Sequence, residues 1–380
     1  MSVDAPLDLS RRFPGFAAVP TPAAVVDLDT LGRNIAAMPA RLPAGVALTP
    51  HVKTHKSLAI ARMQRAAGAA GFTVARLNEA AMLLDAGLGP VTLAQPFVAP
   101  ERVAALLATA GGRLRLIADS RATVAAAARA AEIAGADGVD VFVKVDVGLH
   151  RCGVDPAGDA ALDLARRLGD QRRLAFAGLL AHAGHAYGAG DADGVRRVAA
   201  TERACLGDLR RRLAAAGVPV AVVSVGSTPT LLAPDGFDGL DEVRPGNYVF
   251  LDLAAVRLGL ATRNDAALGV AATVISANDR FSIVNAGSKT LSSDLGAHGA
   301  AATRSYGEAW VPGRDTPIAV EKLSEEHGFL ATGAAPLAVG TAVVILPNHA
   351  CPVANLARRL VGLGADGTRD VLTVDAPSGG

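Results

Sequence analysis

The stretch VALTPHVKTHKSLAIARMQRAAGAAGFTVARL (46–77) reads as strand, helix, strand. VALTPHVK (46–53) is an apolar run that ends in polar residues. KSLAIARMQRAAGA then repeats its apolar side chains at helical spacing, and FTVARL (72–77) returns to a strand. The alternation continues outward through PVTLAQP (90–96), RLRLIAD (113–119), DVFVKVDVG (140–148), LAFAGLLAHAGH (174–185), AVVSVGST (221–228) and EVRPGNYVF (242–250). Amphipathic segments such as NEAAMLLDAG and SRATVAAAARAAEIAGA lie between most of them. Eight strands alternating with helices predict a closed parallel (β/α)8 barrel of the TIM type in preference to an open doubly wound sheet. The helical segment after Ser227 is short.

After about residue 261 the pattern changes. AALGVAATVISA, RFSIVNAGS, TPIAVEKLS, TAVVILPN and DVLTVDA are short β runs separated by turns, with one helix expected at 353–362. The chain therefore divides into a barrel over 20–260 and a mostly antiparallel β domain over 261–375. At the other end, TPAAVVDLDTLGRNIAAMPARL supplies a strand near 20–28, expected to join the C-terminal sheet. A helix follows, with Asp29 or Thr30 as its cap.

Composition narrows the function. The 380 residues carry a formal net charge of +1 and 51% hydrophobic residues. No basic block with interleaved aromatics invites nucleic acid. No run approaches the ~20 apolar residues of a membrane span. The first residues, MSVDAPLDLSRRFPGF, lack the apolar core of a signal peptide, so a cytoplasmic protein is expected. Three scattered cysteines, Cys152, Cys205 and Cys351, are too few for a disulfide framework.

In such barrels chemistry gathers at the C-terminal ends of the strands. The first strand ends in Thr49-Pro50-His51-Val52-Lys53, the fifth in Asp146 to Gly153, and the sixth in His182 to Tyr187. The seventh and eighth end in Gly226-Ser227-Thr228 and Arg244-Pro245-Gly246-Asn247. Glycines with hydroxyl and backbone donors after the last two strands suit a phosphate. A phosphate opposite a lysine at the first strand suggests pyridoxal phosphate (PLP), since a desolvated lysine amine can form an imine. On these residues alone, Lys53 and Lys56 fit the solvated start of a helix equally well.

PHVKTHK (50–56), DVGLHRCGV (146–154), SVGSTPT (224–230), EVRPGNYVF, NAGSKTLSSD (285–294) and LPNHAC (346–351) resemble, in order, the motifs of the D-serine dehydratase-like and D-threonine aldolase family. These are PLP enzymes of fold type III, related to alanine racemase, and the resemblance runs from about residue 20 to 375. It implies an alanine racemase-like barrel carrying PLP as a Schiff base on Lys53, and a C-terminal β domain carrying a divalent metal. It further implies that Arg151 faces the cofactor phenolate and that Tyr187 lines the cofactor pocket. Ser227, Thr228, Gly246 and Asn247 stand on the phosphate side. Thr49 departs from the arginine common before Pro-His, which bears on substrate recognition. Lys144 has the spacing of a lysine modified in some alanine racemases, although a strand residue pointing outward is the preferred reading.

His349-Ala350-Cys351 by itself is more often a core cysteine near a surface histidine. The resemblance implies that it is a metal pair, and side chains at i and i+2 of an extended segment share a face, so both can reach one ion. Thiolate and imidazole favour zinc. Relatives resembling D-threonine aldolase carry His-Cys-Asp here, and those resembling D-serine dehydratase carry His-x-Cys. The expected activity is therefore a PLP- and zinc-dependent ammonia-lyase (dehydratase) acting on a D-3-hydroxy amino acid such as D-serine. Lys53 is its base, and the products are a 2-oxo acid and ammonia. The alternative is retro-aldol cleavage to glycine and an aldehyde, with His185 or a metal-bound hydroxide as the base at the β-hydroxyl. Racemisation gains nothing from a metal at the β-oxygen, and a non-catalytic PLP carrier has no use for the second domain. Relatives of this fold are commonly homodimers, and 285–294 is expected either at that interface or packed within its own subunit.

Overall fold

In the computed structural model, which describes residues 7–297 and 303–377, the chain forms two sheets. Strand β1 (Ala23–Asp27) belongs to the second. The first contains β2 (Ala47–Leu48), β3 (Phe72–Val74), β4 (Val91–Leu93), β5 (Leu114–Ala118), β6 (Val139–Lys144), β7 (Leu174–Leu180), β8 (Val222–Val225) and β9 (Glu242–Val243). Its order is β2-β9-β8-β7-β6-β5-β4-β3, with parallel pairing throughout, so the expected eight-stranded barrel is present.

β2 is short, and the backbone just after it joins the two edges of the sheet. Thr49 and His51 donate their N–H groups to Val243 O and Pro245 O, each at 2.9 Å. On the other side Thr73 N–H reaches Pro50 O at 2.8 Å. The residues that lead to Lys53 are thus held between β9 and β3.

Both faces of the barrel strands are buried, but they are not alike. Val141 and Val143 of β6, Leu114 and Leu116 of β5, and Val223 and Val225 of β8 join the large apolar core beneath the helices. The alternate residues turn inward, as the two-residue period requires. Ile117, Phe142 and Leu180 form a small apolar plug inside the barrel. Around it runs a polar set, in which Arg115 pairs with Glu242 at 2.7 Å and Glu242 accepts from Ser224 Oγ at 2.6 Å. Arg244 donates to Ser224 Oγ at 2.5 Å.

The second sheet has the order β11-β14-β13-β12-β15-β10-β1-β16-β17. Its strands are β10 (Leu268–Ala277), β11 (Ser282–Val284), β12 (Gly307–Trp310), β13 (Ile318–Leu323), β14 (Gly328–Leu330), β15 (Ala342–Pro347), β16 (Arg359–Leu363) and β17 (Arg369–Thr373), with β1 inserted between β10 and β16. β11 also pairs with β10, so six of these strands close on themselves. All pairings are antiparallel except β1 with β16.

Two local expectations differ from this. The helix after β1 spans Leu28–Ala37 and is capped by Asp27, not Asp29 or Thr30: Asp27 Oδ1 accepts from Thr30 N–H at 2.9 Å. The helix expected at 353–362 spans Ala350–Leu356, and residues 359–363 are strand β16. Pairing with β1 on one side and β17 on the other overrides the helical spacing of that segment. Among the described residues, no helix is long and apolar enough to cross a membrane.

Candidate active site

A cavity of about 400 Å³ opens at the C-terminal ends of the barrel strands. Its wall takes His51, Lys53 and Thr54 after β2, Lys144 and Arg151 at β6, and His182 and Tyr187 after β7. Gly226, Ser227 and Thr228 follow β8, and Arg244, Gly246 and Asn247 follow β9. The second sheet contributes His349, Cys351, Pro352 and Asn355 from the segment after β15.

Lys53 sits in a 3-10 turn, Val52–Thr54. His51 Nδ1 accepts the Lys53 N–H at 3.3 Å. Removal from water, with Lys53 and Arg244 nearby, holds His51 well below its ordinary pKa, so it is a neutral acceptor. Burial also lowers the Lys53 amine, with Cys351 opposing. Lys56 is not part of a solvated helix start. Its Nζ lies 3.3 Å from Glu79 Oε1, and both side chains are almost wholly buried.

The Asp146–Gly153 loop presents Arg151. Asp146 Oδ1 accepts the N–H groups of Gly148 and His150, each at 3.0 Å, and Oδ2 meets His150 Nδ1 at 3.1 Å. The chain then returns beside β6, with Asp146 N–H on Val154 O and Val154 N–H on Lys144 O, both at 2.9 Å. Gly153 is required here: its φ is +117°, and a Cβ would stand 2.6 Å from Asp146 N.

Lys144 does not point outward. It is buried in the cavity wall, where loss of water and the nearby Arg244 bring its pKa down to about 8. Behind it Glu202 is pushed up to about 7 by burial, against the pull of Arg244 and Lys144.

The loops after β8 and β9 fit a phosphate. Ser227 Oγ is buried with no hydrogen-bond partner among the described residues, an orphaned donor in the cavity wall. Gly246 lets the backbone come close, since a Cβ there would lie 3.0 Å from Thr54 Oγ1 and 3.1 Å from His51 O. Asn247 Nδ2 is fixed by Asp252 Oδ2 at 2.7 Å, and the same oxygen accepts Ala350 N–H at 2.9 Å. Burial, with Asp252 and Cys351 nearby, holds the Tyr187 hydroxyl well above its ordinary pKa, so it stays protonated. Thr228 and Asn247 are within its reach.

His349 and Cys351 share the cavity wall. Asp294 Oδ2 lies 2.8 Å from His349 Nδ1, which leaves Nε2 for another partner. Burial works against charge on His349, but Cys351 and Asp294 outweigh it and raise its pKa to about 11. Thr54 Oγ1 lies 3.2 Å from Cys351 Sγ. Imidazole, thiol and an orienting carboxylate make a donor set that fits a divalent metal of the zinc type. Among the described residues, no third His, Cys, Asp or Glu joins them in a ready-made metal cluster. Asp294 is the last residue of the 285–294 motif, and its carboxylate meets His349 of the same chain.

Of the residues singled out from the sequence, Lys53, Arg151, Tyr187, Ser227, Thr228, Gly246, Asn247, His349 and Cys351 are gathered in this one cavity. His185 is not in its wall. It packs on the Gly148 turn beside Asp146, and His182 faces the cavity in its place. Sequence reading gave no role to His51, Arg244 or Asp294, turned Lys144 outward, and missed Asp252 and Asn355. The strand alternation that points Phe142 inward also points Lys144 inward, and Glu242 and Arg244 follow the same rule.

Residues 26–254 match the family described as alanine racemase, N-terminal domain, and residues 267–363 the putative serine dehydratase domain. The chain is 41% identical over 365 residues to a D-threo-3-hydroxyaspartate dehydratase of Delftia sp. (strain HT23), covering 92% of this chain and 95% of that protein. It is 29% identical over 362 residues to a D-serine dehydratase of Dictyostelium discoideum, covering 87% and 90%. It is 30% identical over 372 residues to a D-threonine aldolase of Arthrobacter sp, covering 95% and 93%. The solved Delftia enzyme superposes with a TM-score of 0.86 at 37% identity, over 94% of this chain and 98% of that one. A variant of that enzyme with a cysteine replaced by alanine is known in a metal-free form.

Proposed function

The chain belongs to the fold type III PLP family that includes D-serine dehydratases and D-threonine aldolases, and from that premise we propose that it is a dehydratase acting on D-3-hydroxy amino acids. The products would be a 2-oxo acid and ammonia. One observation carries the reading: a single cavity is lined by Lys53 from the barrel and by His349 and Cys351 from the second sheet.

Bound PLP supplies an electron sink that acidifies the substrate α-hydrogen, and a bound divalent metal supplies Lewis acidity at the β-oxygen. Lys53 would hold the cofactor, with Ser227, Thr228, Gly246 and Asn247 on its phosphate, Arg151 on its phenolate and Tyr187 in the pocket wall. Lys53 Nζ, with its basicity lowered by burial, is the base the cavity offers for the α-proton. His349 and Cys351 would hold the metal, and Asp294 fixes which imidazole nitrogen faces it. Thiolate with imidazole supports zinc over magnesium. Cys351, where the aldolase branch has Asp in the second ligand position, supports elimination over aldol cleavage. His185 stands outside the cavity wall, which leaves the aldolase alternative a metal-bound hydroxide as its base at the β-hydroxyl.

Chelation is the test. Removing the metal should stop turnover while the visible absorbance of the lysine-bound cofactor persists, and zinc should restore activity better than magnesium. Full activity in metal-free protein would make His349 and Cys351 structural.

A further inference from the structure

The loop that carries Lys53 and the helix that carries Cys351 come from different sheets, yet one side chain spans them. The N–H groups of His55 and Lys56 both turn back to Val52 O. The next two carbonyls meet Asn355, whose Nδ2 lies 3.0 Å from Lys53 O and 3.3 Å from Thr54 O. The same nitrogen lies 2.8 Å from Cys351 O, one turn earlier in its own helix. Three carbonyl oxygens therefore converge on one amide nitrogen. That convergence fixes the orientation of the amide, because its oxygen in that place would face three acceptors. Aspartate, an acceptor only, would be repelled there.

We propose that Asn355 is a positioning residue that sets the register between the Lys53 amine and the Cys351 ligand. The proposal rests on the reading that Lys53 holds PLP and that Cys351 binds the metal. Fixing Lys53 with cofactor orders the two carbonyls that Asn355 grips, and the same amide then orders the Cys351 backbone. Cofactor and metal therefore favour one shared arrangement, and each tightens the binding of the other by the same factor.

The experiment titrates cobalt(II), whose visible absorption follows its ligand geometry, into full-length protein with and without PLP. Wild type should bind cobalt at least about fivefold more tightly when loaded with PLP. In Asn355→Ala that ratio should fall to about one, and the cobalt spectrum should no longer change on loading. Melting should remain cooperative and PLP should still bind. Asn355→Ser, which keeps one donor, should recover part of the ratio. Wild type that binds neither PLP nor cobalt would defeat the underlying reading, not this proposal alone. If wild type binds both, an unchanged ratio in Asn355→Ala overturns the proposal. Loss of the ratio in Thr54→Val but not in Asn355→Ala does so too, by assigning the coupling to the Thr54–Cys351 contact. Failure of both Asn355 variants to fold also overturns it, because it would make the residue a folding determinant.

Discussion

Two lysines three residues apart show what a residue's surroundings decide. Lys53 faces the cavity with a lowered amine pKa, whereas Lys56 neutralises a buried Glu79. Lys53→Ala should remove the cofactor's visible band and the activity together, and borohydride reduction of wild type should label Lys53. Lys56→Ala should keep the band yet lose about 3–5 kcal/mol of stability, because Glu79 is left charged without its partner. Urea unfolding measures that loss, and a borohydride adduct on Lys56 would reverse the assignment. Lys53 was legible because Pro-His-x-Lys falls at the end of a strand. The environment of Lys56 was not, since Glu79 lies 23 positions away on the helix Leu77–Asp85 and only the closed barrel brings the two together. Lys144 was misjudged for a related reason. In a barrel both strand faces are buried, so a lysine near a strand end need not mark the solvent side, and the parity with Phe142 is the better guide.

At the scale of elements, the strand–helix alternation was legible throughout the barrel, and the segment after β15 was only partly so. LPNHAC carries the proposed ligand pair in the sequence, but the helix behind it ends at Leu356 because β1 and β17 claim the next residues for β16. Strands β12 and β14 escaped notice. Each is short, and each is held by neighbours in the sheet more than by its own alternation. The segment ending in Asp294 reaches the proposed metal pair through His349, a contact that spans 55 positions and leaves no local signature. Asp294→Ala should lower zinc affinity about 10–100-fold by freeing the imidazole to rotate. Competition with a chromophoric chelator measures this, and an unchanged affinity would show that the helix alone orients the ring.

The whole molecule adds a charged interior that no motif announces. Glu202 holds a proton in the folded state up to about pH 7, whereas an ordinary glutamate releases it at 4.5. The folded protein therefore binds more protons than the unfolded chain between those values, and this group's contribution to stability falls as pH rises through that window. The fall is on the order of 3 kcal/mol. Glu202→Gln should lack it, so the variant should gain on wild type between pH 5 and pH 8 in urea unfolding. A constant difference across that range would mean that Lys144 and Arg244 compensate the carboxylate fully. The barrel and the second sheet are each ordinary supports, and on the function proposed above it is their meeting at one cavity that would give this lyase a metal at the β-oxygen. That claim is tested most directly by the products formed from D-serine, D-threonine and D-threo-3-hydroxyaspartate with zinc-loaded, PLP-loaded enzyme. The account predicts a 2-oxo acid and ammonia in equal amounts from at least one of them, with no glycine; glycine and an aldehyde as the dominant products would contradict it.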